Sequence, residues 1–138
     1  MYKDKNFYLN LFQVSETQLE RLAADGLRGG GSYCDLFFEN TSYNDLLLRD
    51  GIVSSGGFHI DYGVGIRVLK GDKTGYAYSE STDPRSMAEA ALAASKIAEG
   101  VTGGVEAVHC KTVTAPKDRY SYETDWRSSD ATRLVPWM

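Results

Sequence analysis

The segment His59–Tyr78, "HIDYGVGIRVLKGDKTGYAY", constrains what this chain can fold into more tightly than any other. Its alternation puts Val64, Ile66 and Val68 on one face of a strand over Gly63–Leu69, with Gly63, Gly65 and Arg67 on the other. "KGDK" supplies a turn and "TGYAYS" a returning strand on which Tyr76 and Tyr78 share a face. The Gly63-Val64-Gly65 triplet invites comparison with a phosphate-binding loop. Such a loop must lie between a strand and a helix, with the helix N-terminus aimed at the phosphate. Here β-branched residues follow, no third glycine stands at the required spacing, and there is no G-x-x-x-x-G-K-[ST]. The glycines instead leave one face bare, so that a helix, a bulge or another domain can approach the backbone closely.

Helices bracket this hairpin. Ser15 with Gln18 three residues on predicts a capping box for a helix over 16–25, with Val14 and Leu19 spaced as a hydrophobic staple. Leu19, Leu22 and Ala23 form its inward stripe, and Gly26 is read as its stop. "RGGGS" at 28–32 reads as a linker. "YCDLFFE" predicts a strand at 33–39 with Cys34, Leu36 and Phe38 facing one way and Tyr33, Asp35, Phe37 and Glu39 the other. Asp50-Gly51 between apolar runs signals a hairpin turn. Asp83-Pro84 opens a second long helix, with Asp83 as cap and Pro84 at the first helical position, and Gly100 is its expected end. Met87, Ala91, Ala94 and Ala98 make a narrow small-residue stripe, flanked by Leu92 and Ile97, that allows close packing on a sheet. "VEAVHCKTVTAP" is expected to add a strand. The order α-β-β-β-β-α predicts an α+β fold in two layers: a mainly antiparallel sheet with helices on one face. The domain is expected over residues 1–112, with 113–138 as a tail.

Composition narrows the function. The 138 residues carry a formal net charge of −4, with Lys and Arg scattered, against the basic stripe of a nucleic-acid-binding face. No apolar run approaches a membrane span, and the N-terminus lacks the long apolar region of a signal peptide, so a cytoplasmic location is expected. Two cysteines, Cys34 and Cys110, make no disulfide framework.

Three segments together, "RDGIVSS", "DYGVGIRVLKGDKTGYAYS" and "TDPRSMAEAALAASKIA", resemble the N-terminal domain of the TldD/PmbA family, to which the name modulator of DNA gyrase has been attached. "YCDLFFE" matches that family's "ADLRxE"-like strand, so the resemblance runs over about residues 15–100 in the family's order. Members of the TldD type are similar to zinc metallopeptidases that degrade or trim peptides, often in a two-subunit assembly with PmbA. The resemblance implies that zinc binds only in a C-terminal domain, on an HExxxH helix with a further cysteine. No HExxxH occurs in these 138 residues, whose only histidines are His59 and His109. The resemblance therefore implies a scaffold with no catalytic residue, metal ligand or cofactor of its own.

The residues themselves agree with that reading. His109 and Cys110 are adjacent, so on a strand they point to opposite faces and are poorly placed to share an ion. Cys34 reads as a core thiol and His59 as a strand or loop residue with a satisfied hydrogen bond. There is no G-x-S-x-G elbow, and Asp35, Glu39, Asp45 and Asp50 show no acid–base pairing. The polar candidates for binding are Arg49 and Arg67. Arg67 lies beside the bare backbone of Gly63 and Gly65 and could hold a carboxylate or carbonyl; the other reading is a cross-strand ion pair with Glu39 or Asp45. Tyr76 and Tyr78 complete the candidate surface, as an interface or a peptide path.

Three functions follow. The first is a noncatalytic N-terminal scaffold that packs on a C-terminal peptidase domain and a TldD/PmbA-type partner subunit, in a homo- or hetero-oligomer that encloses a peptide path. The alternative is a free-standing protein-interaction module, a truncated family member without peptidase activity. The third is a nucleic-acid adaptor, which the gyrase-related family name and the tyrosines suggest and the acidic charge opposes.

Overall fold

The computed structural model describes residues 3–99, 123 and 129–138. Its elements run α1 (Lys5–Phe12), α2 (Glu16–Leu27), β1 (Tyr33–Arg49), β2 (Ile52–Lys70), β3 (Lys73–Ser79), α3 (Pro84–Ile97) and α4 (Ala131–Leu134), the last followed by a 3-10 turn at Val135–Trp137. The sheet is antiparallel, in the order β1-β2-β3, and helices pack on one of its faces. The α+β class follows directly.

The element order differs from α-β-β-β-β-α in two ways. Strand β1 runs unbroken through 33–49, so the described sheet has three strands instead of four. No proline interrupts that span, and the turn that ends it, at Asp50 and Gly51, has positive φ at both residues, as a primed hairpin turn requires. In addition, a helix precedes α2. Asp4 caps α1 by accepting from the Phe7 N–H at 2.9 Å, and Gln13 ends it in the left-handed conformation. The expected strand over 105–116, with His109 and Cys110, lies outside the described residues, as does most of 113–138.

Local rules explain the helix ends. Ser15 and Gln18 form the capping box reciprocally, with the Ser15 N–H donating to Gln18 Oε1 at 2.7 Å. Asp83 accepts from the N–H groups of Arg85 and Ser86, both at 3.0 Å, and Pro84 takes the first position of α3. Gly26 does not stop α2. It lies inside the helix, where a Cβ would come within 2.8 Å of Cys34 Sγ and 3.2 Å of Val68 Cγ2. The glycine is a packing device, and the helix runs one residue further.

The described residues divide into two units. One comprises 3–39 and 62–99; the other comprises 40–61, 123 and 129–138. The first holds the core: Val64, Ile66 and Val68 of β2 meet Leu22 of α2 and Met87, Ala90, Ala91 and Ala94 of α3. Burying a side chain such as Ile66 stabilises by about 1.5–3 kcal/mol. The small-residue stripe does what its spacing predicts. A Cβ on Gly75 of β3 would collide with the Ala94 carbonyl and come within 2.8 Å of the Ala98 N–H nitrogen. Helix backbone therefore lies directly on strand backbone. Phe12 joins this unit through its ring, 5.0 Å from Phe38 and 5.5 Å from Tyr62, and the Tyr62 and Thr82 hydroxyls share a 2.8 Å hydrogen bond.

The second unit contains the turn-proximal halves of β1 and β2. Tyr43 and His59 stack there with ring centroids 4.4 Å apart and planes 8° from parallel. Leu47, Ile52, Phe58 and Ile60 are all exposed.

Candidate functional site

Alternation along the three strands sends Cys34, Leu36, Phe38, Val64, Ile66 and Val68 toward the helices. The same alternation sends Tyr33, Asp35 and Phe37 of β1, Arg67 of β2, and Tyr76 and Tyr78 of β3 to the opposite face. The rings of Tyr33, Phe37, Tyr76 and Tyr78 are half to two-thirds exposed. An ion pair stands among them. Arg67 donates from Nε to Asp35 Oδ1 and from Nη2 to Asp35 Oδ2, each at 2.9 Å. The partner is Asp35 instead of Glu39 or Asp45, and both nitrogens engage the carboxylate in the fork geometry that suits guanidinium. The hydrogen bonds that Asp35 accepts, and then its charge, raise the Arg67 pKa further above its ordinary value.

The two glycines have neighbours within the fold. Gly63 has φ 152°, and a Cβ there would strike the Ser79 carbonyl oxygen. Gly65 is covered by Tyr76, whose hydroxyl would lie 2.6 Å from an added Cβ. Tyr76 stands directly opposite Arg67 in the ladder, and Tyr78 opposite Gly65. The tyrosine thus leans diagonally across the strand and levels the face. Gly63, Gly65, Arg67, Tyr76 and Tyr78 come together in the first unit. Arg49 ends β1 at the hairpin turn, in the other unit, and is exposed.

Sequence reasoning missed Asp35 as the arginine's partner and missed the Phe12–Phe38–Tyr62 cluster. Two signals were available: Asp35 and Arg67 both fall on the non-core parity of their strands, and Asp4 precedes "KNFYLNLF" as a cap would.

Chemically the face offers aromatic surface and one self-neutralised ion pair, with no nucleophile poised for reaction. Burial, and secondarily the Asp35 charge, push the Cys34 thiol up to about 11, which disfavours the reactive thiolate. Among the described residues no group of three or more His, Cys, Asp or Glu could hold a metal ion. These residues do not fit a zinc site. Among them, too, no helix is long and apolar enough to cross a membrane.

Residues 34–98 match the family model described as PmbA/TldA metallopeptidase domain 1. This match and the relatives below support reading residues 34–98 as similar to the N-terminal domain of the TldD/PmbA family. A protein of Haemophilus influenzae named Metalloprotease TldD homolog is 37% identical over 89 residues, which is 64% of this chain and 18% of that relative. Proteins of the same name from two Buchnera aphidicola subspecies are similar too. The one from the Acyrthosiphon pisum symbiont is 34% identical over 55 residues, 40% of this chain and 11% of its own length. The one from the Schizaphis graminum symbiont is 24% identical over 108 residues, 75% of this chain and 22% of its own length. The chain thus spans a small part of these TldD-type relatives. The matched segment contains the core strands, the open sheet face and α3.

Proposed function

We propose that this chain is a noncatalytic scaffold domain of a TldD/PmbA-type metallopeptidase that takes part in peptide proteolysis in the cytoplasm. It packs against a C-terminal catalytic domain, where zinc would bind, and against a partner subunit. Arg49, Gly63, Gly65, Arg67, Tyr76 and Tyr78 belong to its docking surface or line the peptide path. The observation that carries the reading is the match of residues 34–98 to a first domain whose relatives are named as metalloproteases. The test is direct. The purified chain should contain no stoichiometric zinc by elemental analysis and should leave unstructured peptides intact. Hydrolysis abolished by a chelator would overturn the reading.

The open sheet face favours a second reading, a free-standing interaction module. Sequencing the DNA downstream of codon 138 separates the two. An in-frame HExxxH segment supports the scaffold; its absence transfers the role to the module. The net charge of −4 weighs against a nucleic-acid partner in either case.

A further inference from the structure

The sequence contains two Asp-Gly bonds, at 25–26 and 50–51, and the fold places them in opposite settings. We infer that the Asp50-Gly51 bond at the hairpin tip is a site of spontaneous isoaspartate formation, from which Asp25-Gly26 is protected.

The chemistry needs only the chain and water. The Gly51 backbone nitrogen attacks Asp50 Cγ, and a five-membered succinimide closes as the new C–N bond forms. The carboxyl hydroxyl leaves as water, taking the amide hydrogen with it. Water then adds back at one of two carbonyls. Addition at Cγ restores aspartate. Addition at the former backbone carbonyl breaks its bond to nitrogen, so that the chain runs through Cγ and the α-carboxylate is free. Nothing is oxidised or reduced, and the mass of the product equals that of the starting chain.

Access is the first difference between the two bonds. Asp50 and Gly51 are exposed, as are Arg49 and Ile52 on either side, and a Cβ on Gly51 would meet nothing within 4 Å. The tip therefore has room for a closing ring. Gly26 is buried, and a Cβ there would lie 2.8 Å from Cys34 Sγ.

The nucleophile is the second. Gly26 lies within α2, where the repeating pattern ties each interior N–H to the carbonyl four residues back. Its nitrogen reaches a side chain only if the helix breaks. Arg28 Nη2 also donates to Asp25 Oδ1 at 2.5 Å, which anchors the carboxylate.

Backbone strain is the third. Asp50 has φ 53°, in the left-handed region that is costly for an L-residue. The tip also ends a two-stranded ribbon, which is marginal by itself, so the opening that brings nitrogen to Cγ leaves the helix-covered core intact.

The product alters the ribbon. An extra backbone carbon at residue 50 does not fit a two-residue primed turn, whose length sets the register of the strands it joins. The new α-carboxylate is the group that S-adenosylmethionine-dependent isoaspartyl methyltransferases esterify, so the aged chain becomes a substrate for that class of enzyme.

The test is to hold the purified chain for weeks at physiological pH and temperature and to locate isoaspartate by electron-transfer fragmentation of its peptides. Residue 50 should convert about tenfold or more faster than residue 25 in the folded chain. In guanidinium chloride the two rates should converge, because both bonds then lie in unstructured chain. The D50N variant keeps an Asn-Gly turn and should react faster still, with ammonia leaving in place of water. Equal rates at residues 25 and 50 in the folded chain overturn the inference. So does a D50N chain that keeps its amide while folded and loses it in denaturant. Neither result touches the scaffold reading, which the zinc and peptidase measurements decide separately.

Discussion

Ile66 and Ile60 lie on the same strand, six residues apart. The first has 0% exposure and the second 52%. Ile66 belongs to the unit in which α2 and α3 cover the sheet, and Met87, Ala91 and Ala94 close over its face. Ile60 belongs to the unit built on the turn-proximal halves of β1 and β2, where Ile52 reaches 71% exposure and Phe58 is open as well. The two stretches of strand are similarly apolar, so hydrophobicity does not separate them. Cover does. A residue stabilises the fold by the area that something else removes from water, and a two-stranded ribbon by itself is marginal.

The sharpest way to break this comparison is at the glycines. Gly75→Ala forces a Cβ into the Ala94 carbonyl and the backbone near Ala98, neither of which can yield without moving α3. It should cost about 3 kcal/mol, the upper end for overpacking. At Gly57 in the ribbon, the nearest obstacle to a Cβ is Asp45 Oδ2, at 2.5 Å, the end of a mobile side chain. Gly57→Ala should stay within about 0.5 kcal/mol. Urea unfolding of both variants reads the difference, and equal losses would mean that the ribbon is as tightly packed as the core.

The paired isoleucines come next. Ile66→Ala should lower the unfolding free energy by about 2–5 kcal/mol through lost burial and an unfilled cavity. Ile60→Ala should lower it by less than about 1 kcal/mol. A large loss at Ile60 would show that something covers the ribbon in solution.

Thiol chemistry sharpens the same contrast with a smaller signal. Cys34 sits against α2 with its pKa pushed up to about 11, so alkylation at pH 8 should be slow in the folded chain and rapid in urea. A cysteine introduced by Ile60→Cys should react without unfolding, and peptide mapping distinguishes it from Cys34 and Cys110. The sign for stability follows from the same shift. Between the ordinary cysteine value and about 11, the unfolded chain releases a proton that the folded chain keeps, so stability falls as pH rises.

Asp83 gives the smallest expected effect. Donors at Ser86 above all, then Ser81 and the Arg85 N–H, hold its carboxyl well below the usual carboxylate range. A depressed folded value means that the contribution is present above the unfolded pKa and is lost as pH falls through it toward the folded value. Asp83→Asn keeps a capping acceptor and should flatten that decline, whereas Asp83→Ala should also lower the urea midpoint at pH 7.

Much of this was legible in the residues. Ser15 and Gln18 are three apart, and Asp83 precedes Pro84, so two helix starts follow from backbone hydrogen bonding within a few residues. Parity alone divided Val64, Ile66 and Val68 from Arg67. The site was legible as a face but not as a set of contacts. Arg67 has three acidic residues on β1 at suitable parity, Asp35, Glu39 and Asp45, and only strand register selects Asp35.

By itself, then, the sequence determined periodicity, caps, the hairpin turn and the helix stripe narrow enough to lie on a sheet, because each depends on neighbours a few residues away. The tertiary structure decided that Gly26 is a contact and not a stop, that Tyr76 levels the face over Gly65, and that Ile66 is covered while Ile60 is not. Those outcomes depend on which elements meet across tens of residues of chain. Nothing local to a glycine or an isoleucine encodes what will be packed against it.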